Sequence, residues 1–277
     1  MARIDAHQHF WCYQPVRDRW ITDEMAALRR DFLPADLSPL LQAQDVAGCV
    51  AVQASQSEAE TDFLLSQAQQ HDFIRGVVGW VDLQAADAAE RVAHYARSPK
   101  LKGFRHVLQS EADRALMLQP QFGAGLATLA PWGLTYDLLI LPDQLRHATA
   151  LAAAFPDQAF VVDHLATPAI RQGERAAWEK DLRKLAAHPN VHCKASGLVT
   201  EADWTAWQPA DFRPYLDAAF AAFGSERLMF GSDWPVCLLA GRYDQVVGLL
   251  ADYLAGFSVA ERAAVWGDNA ARFYCLS

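Results

Sequence analysis

Cys49–Gln53 (CVAVQ), Glu60–Gln70 (ETDFLLSQAQQ) and Ile74–Val81 (IRGVVGWV) read in succession as an apolar strand, an amphipathic helix and a second apolar strand. Alternation at this spacing builds a βαβ unit and therefore a parallel sheet. The same rhythm runs outward in both directions. Further strand-like runs are Ile4–His7, Leu101–Arg105, Leu134–Ile140, Phe160–Asp163, Val191–Lys194 and Leu228–Gly231. Helical runs at Ala85–Ala96, Asp143–Ala154, Ala176–Ala187 and Pro214–Phe223 lie between them. Eight strands fit a closed barrel better than an open sheet, and 277 residues suit one barrel of the usual size of about 250. The expectation is an α/β fold, a single-domain (β/α)8 TIM-type barrel spanning residues 1–277.

Punctuation agrees with that reading. Ser38-Pro39 predicts a helix start, with Ser38 as cap, and Pro156 and Pro189 each close a helix before the next strand. The stretch Trp11–Leu33 is too long for a bare turn and predicts a cover over the barrel mouth. Ser196–Asp211, with Trp204 and Trp207, predicts a second cover. Trp80, inside an expected strand, reads as core.

The composition, 52% hydrophobic and 21% charged, is that of a globular enzyme with a sizeable core. A formal net charge of -9 leaves no basic stripe to meet phosphates, which argues against a nucleic-acid partner. No apolar stretch reaches the roughly 18 residues of a membrane helix, and no signal-like segment precedes Ile4. The five cysteines, Cys12, Cys49, Cys193, Cys237 and Cys275, are scattered and include no C-x-x-C pair. A disulfide framework or thiolate metal site is not expected, and a reduced, cytoplasmic protein is. The sequence leaves the oligomeric state undefined.

The chemistry concentrates where strands end. Asp5-Ala6-His7-Gln8-His9 puts two imidazoles about 6–7 Å apart on one face of a strand, placed to share a metal or polarise one substrate group. Alone, such a pair also describes surface or core histidines. Its position at the end of the first strand changes the reading, because barrel chemistry sits at strand C-termini. Other strands finish in Arg105-His106, Asp163-His164, Lys194 and Gly231-Ser232-Asp233-Trp234-Pro235. Apolar strands seldom end so often in charged groups, since uncompensated buried charge is costly. Ser55, just past the second strand, reads as a plain loop serine or a weaker site candidate.

HxH after the first strand, DH after the sixth and GSDWP after the eighth resemble the amidohydrolase superfamily. The resemblance narrows to its sugar-lactonase group, which takes in L-fuconolactonase and L-rhamnonolactonase, with pyrone-dicarboxylate hydrolase as a relative. It covers nearly the whole chain. Gly79–Leu83, Lys102–His106 and Lys194–Leu198 contribute, and Gly231–Cys237 is its most specific run.

What the resemblance implies is a hydrolase that opens a sugar-acid lactone by water attack on the ring ester. Asp233 is then the candidate general base, with His7 and His9 polarising the carbonyl directly or through a metal. His164 either donates to the leaving oxygen or orients the water. Arg105 or Lys194 stabilises the developing charge, while His106, Trp11, Trp204, Trp234 and Ser55 face the substrate.

One departure matters. Metal-dependent relatives place a histidine on the fifth strand, and here that strand reads Thr135–Ile140 with Asp137 as either its replacement or a structural acid. Two metals are not expected. One Zn²⁺ on His7, His9 and Asp233, with His164 or water, stands beside a metal-free mechanism. The alternative activity is a metal-dependent decarboxylase or another amidohydrolase-type hydrolase on a small carboxylated substrate. A sugar-binding barrel without catalysis is the non-enzymatic alternative.

Overall fold

Short runs rich in Val, Ile and Ala become the strands because branched side chains pack on both faces of a buried parallel sheet. The computed structural model describes residues 2–276. Its eight strands are β1 (Arg3–Gln8), β2 (Val46–Val52), β3 (Ile74–Gly79), β4 (Leu101–His106), β5 (Thr135–Leu138), β6 (Phe160–Val162), β7 (Val191–Ala195) and β8 (Leu228–Phe230). They pair in parallel, in sequence order, as one sheet. Beyond β8, the Asp233 N–H donates to the His7 carbonyl oxygen at 2.8 Å and the His9 N–H to the Trp234 carbonyl oxygen at 2.7 Å. These two bonds draw the last strand to the first and close the barrel at its mouth.

Helices occupy the crossovers, including α1 (Pro34–Ala43), α2 (Glu58–Gln70), α3 (Ala88–Tyr95), α4 (Pro120–Leu126) and α5 (Leu145–Ala154). Three more follow: α6 (Ala176–Ala186), α7 (Pro209–Phe223) and α8 (Tyr243–Tyr253). The larger core lies between strands and helices. A smaller cluster of Ile4, Ala6, Val50, Val52, Val78, Val161 and Met229 fills the barrel's lower interior, where Ala270 and Tyr274 close it from below.

Two expectations need correction. Helix α1 begins at Pro34, not at Ser38-Pro39. Pro34 takes the first helical position and the Asp36 carboxylate accepts the Leu33 N–H at 2.9 Å, so the end is already capped four residues earlier. Trp80 falls past the end of β3 and is half-buried, with its indole N–H donating to His106 Nδ1 at 3.3 Å. All five cysteines are free thiols. Among the described residues no helix is long and apolar enough to cross a membrane.

Candidate active site

The pairing register between β1 and β2 shifts between Asp5 and Gln8. Ile4 and Ala6 fill the lower interior, and past the shift His7 and His9 both turn inward. Irregular pairing next to a site is a common way to re-aim a side chain. Asp5 anchors the shift: its Oδ1 accepts the N–H groups of His7 and Ser232 at 3.2 and 2.9 Å, and Tyr243 donates to its Oδ2 at 3.1 Å.

Opposite β1, two residues sit in left-handed backbone. Asp233 has φ 57°, and His164 opens a left-handed turn that continues through Leu165, Ala166 and Thr167. Such conformations cost non-glycine residues energy and persist where surrounding contacts hold them, often at functional sites. Gly197, also at positive φ, passes so close to the His164 ring that a Cβ there would lie 2.5 Å from Nδ1.

The side chains meet at one oxygen. Asp233 Oδ1 lies 3.2 Å from His9 Nε2 and 3.8 Å from both His7 Nε2 and His164 Nε2. The remaining ring nitrogens are held by the protein: His9 Nδ1 by the Val52 carbonyl oxygen at 2.7 Å, His164 Nδ1 by Ser196 Oγ at 2.9 Å, and His7 Nδ1 by Asp163 Oδ1 at 3.2 Å. A carbonyl only accepts, so His9 Nδ1 carries a proton, and in the Nδ1–H tautomer Nε2 is an acceptor. Arg105 only donates, and its Nη1 faces His7 Nε2 at 3.3 Å, so that nitrogen is an acceptor too. Yet His7 Nε2 and His9 Nε2 stand 3.2 Å apart. Imidazole nitrogens this close together beside a carboxylate oxygen suit a cation.

The donor set is therefore consistent with a divalent metal. Ligand atoms of His7, His164 and Asp233 lie within 4.8 Å of one another, and each imidazole is oriented from behind as metal-binding histidines usually are. Burial, together with Lys194 and His164, holds His7 well below the usual imidazole range despite Asp163 nearby. Burial also lowers His164, against the pull of Asp233. Neutral rings are what a metal ligand needs.

Beneath this cluster lies a layer of buried charge. Lys194 is fully buried, with Nζ 2.5 Å from Asp137 Oδ2, 3.0 Å from Asp163 Oδ1 and 3.1 Å from His7 Nδ1. Arg105 Nη1 donates to Asp163 Oδ2 at 3.0 Å, and its other nitrogens are held by the Gln53 side chain and carbonyl. Burial opposes charge on Asp163, but Lys194, His7 and Arg105 outweigh it and hold its carboxyl well below the ordinary range. Asp137 is pushed up to about 6 by burial, against the pull of Lys194, and Tyr274 donates to it at 2.9 Å. Asp137 is thus bound into the ion layer rather than turned toward the mouth.

Above the cluster opens a cavity of about 490 Å³, within the range of small-molecule pockets. His9, Arg105, His164, Asp233 and Ser55 line it, as do Trp20 from the first cover and Glu201 and Trp204 from the second. Other residues expected against the substrate stand behind this wall. Lys194 is consumed by the ion layer. His106 is paired with Glu111 at 2.7 Å. Trp11 is buried between Phe32 and Trp20, its indole donating to the Arg30 carbonyl oxygen, and Trp234 is buried against Phe10 and Phe32. Trp207, expected only as part of the second cover, packs on Phe212. Asp163, Gln53, Trp20 and Glu201 escaped the sequence reading as site residues. Asp163 was visible in the Asp-His pair, and Trp20 and Glu201 lie inside the predicted covers.

The amidohydrolase family model matches residues 4–276. An L-fucono-1,5-lactonase of Burkholderia multivorans is 47% identical over 99% of this chain and 96% of its own length. An L-fucono-1,5-lactonase of Burkholderia ambifaria is 40% identical over 98% and 95%. A solved amidohydrolase of Burkholderia multivorans with bound zinc superposes with a TM-score of 0.97 at 46% identity, covering 100% of both chains. With a family model matched over residues 4–276 and a relative 47% identical over nearly its whole length, this chain belongs to the amidohydrolase family.

Proposed function

We propose that the chain is a hydrolase that opens a sugar-acid lactone, of the L-fucono-1,5-lactone kind, by water attack on the ring ester. The observation that carries this reading is the convergence of three imidazoles on the Asp233 carboxylate at the floor of a cavity flanked by Trp20 and Trp204. The lactonases of Burkholderia support the substrate class.

His7, His164 and Asp233, with His9 beside them, would hold a zinc ion, which when bound supplies Lewis-acid polarisation at this point. The chain's own groups divide the remaining work. Asp233 takes a proton from the attacking water as its oxygen bonds to the carbonyl carbon. The same carboxyl returns that proton to the ring oxygen when the C–O bond breaks, so atoms and charge balance. Arg105, fixed by Gln53 and Asp163, stabilises the negative charge that develops on the carbonyl oxygen. His164, kept neutral by burial, orients the water and does not serve as the acid. Trp20 and Trp204 offer apolar faces to the C–H side of the sugar ring.

A pH-indicator assay over fucono-, rhamnono-, galactono- and arabinonolactones tests this. Release of one proton per ring opened is expected. Release of carbon dioxide from a dihydroxybenzoate, with no lactone opened, moves the assignment to a decarboxylase.

A further inference from the structure

Several polar groups of the cavity wall are already tied to the protein. Arg17 is tied to Asp18 and to the Cys12 carbonyl oxygen, and Arg105 to Gln53 and Asp163. The hydroxyls of Thr167 and Thr200 donate to the carbonyl oxygens of Ile140 and Gly197. One acidic group of the wall is not tied down in this way. The Glu201 carboxylate, half-buried on the turn Val199–Glu201, makes no side-chain hydrogen bond or ion pair among the described residues.

An acceptor removed from water without a donor costs free energy, and a buried carboxylate costs more. Glu201 comes from the βα segment after β7 and lines the cavity. A ligand that carries donors satisfies it, whereas a ligand carboxylate set against it meets repulsion.

We infer that Glu201 is a hydroxyl-recognition group of the cavity wall that favours hydroxylated lactones and disfavours lactones that set a free carboxylate against it. The inference rests on the lactonase reading above and adds the source of its specificity. Glu201 accepts from ring or tail hydroxyls at some distance from the ester, so it acts on binding rather than on the bond broken. Burial, with the Asp233 charge nearby, pushes the Glu201 carboxyl up to about 7.

The test compares kcat/KM of wild type, Glu201→Ala and Glu201→Gln on three lactones. L-Fucono-1,5-lactone carries hydroxyls, δ-valerolactone carries none, and glucaro-1,4-lactone carries a free carboxylate. The ratio of fuconolactone to valerolactone efficiency should fall about tenfold or more in Glu201→Ala, with the change in KM. In Glu201→Gln, efficiency on the carboxylated lactone relative to fuconolactone should rise about tenfold. If wild type opens fuconolactone and these ratios stay within about twofold, this inference alone is overturned. An equal fall in kcat on fuconolactone and valerolactone also overturns it, by placing Glu201 at the reacting atoms. A wild-type enzyme that opens no lactone overturns this inference together with the lactonase reading.

Discussion

The N–H of Asp233 donates to the carbonyl oxygen of His7 at 2.8 Å, so one backbone bond both draws the barrel closed and fixes the candidate base against the candidate imidazole ligand. Fold and site are therefore not separable at this seam. A change that loosens the closure moves the chemistry.

Gly231 tests that coupling. A Cβ there would lie 2.6 Å from His7 Cβ and 3.0 Å from Ser196 Cβ. Gly231→Ala must push β1 and β8 apart, at about 1–3 kcal/mol by the usual cost of overpacking. Urea unfolding should show the loss, and lactone turnover should fall by more than stability alone accounts for. Normal turnover with lowered stability would separate closure from catalysis.

Lys194 is fully buried between two carboxylates. Lys194→Met removes the cation between Asp137 and Asp163 and leaves Asp163 to Arg105 alone, a change that costs about 3–5 kcal/mol in buried pairs. A much lower urea midpoint is expected, along with weakened activity because Asp163 also holds His7. An unchanged midpoint would mean that the ion layer contributes nothing net.

Stability should depend on pH through Glu201. Its folded carboxyl sits at about 7, above the ordinary 4.5, chiefly through burial. Between those values the native chain holds a proton that the unfolded chain has released, so stability falls as pH rises through that window. Relative to Glu201→Gln, wild type should lose unfolding free energy between pH 5 and pH 8. Parallel pH profiles for the two proteins would count against a raised Glu201.

Zinc binding should be one ion per chain by equilibrium dialysis at neutral pH. It should weaken as acid protonates the imidazoles, and it should weaken strongly in His7→Ala and His164→Ala. Retention of full stoichiometry and affinity by both variants would place any bound zinc elsewhere.

Strand–helix alternation and polar strand ends carried most of the fold and the central cluster, because both are local patterns. Asp233, His7, His9 and His164 each terminate a strand, and parallel strands bring their ends to one rim. Position behind or in front of the cavity wall was not legible. Trp234 follows Asp233 directly, yet packs into the core against Phe10 and Phe32, while Trp20, in the middle of a loop, reaches the cavity. Nor does sequence show that Lys194 meets two carboxylates, since Asp137 and Asp163 come from other strands. The start of α1 was misjudged because Ser38-Pro39 has the form of a cap, while the Pro34 and Asp36 pair competes for the same end.

The most direct measurement is turnover of L-fucono-1,5-lactone by Asp233→Asn. Asparagine tolerates the left-handed backbone at this position and keeps the N–H that bonds to His7, so unfolding should stay close to wild type. The account predicts a fall in kcat of roughly 10²–10⁴, the size expected when a general base is lost. A folded variant that turns over at near wild-type rate would contradict it.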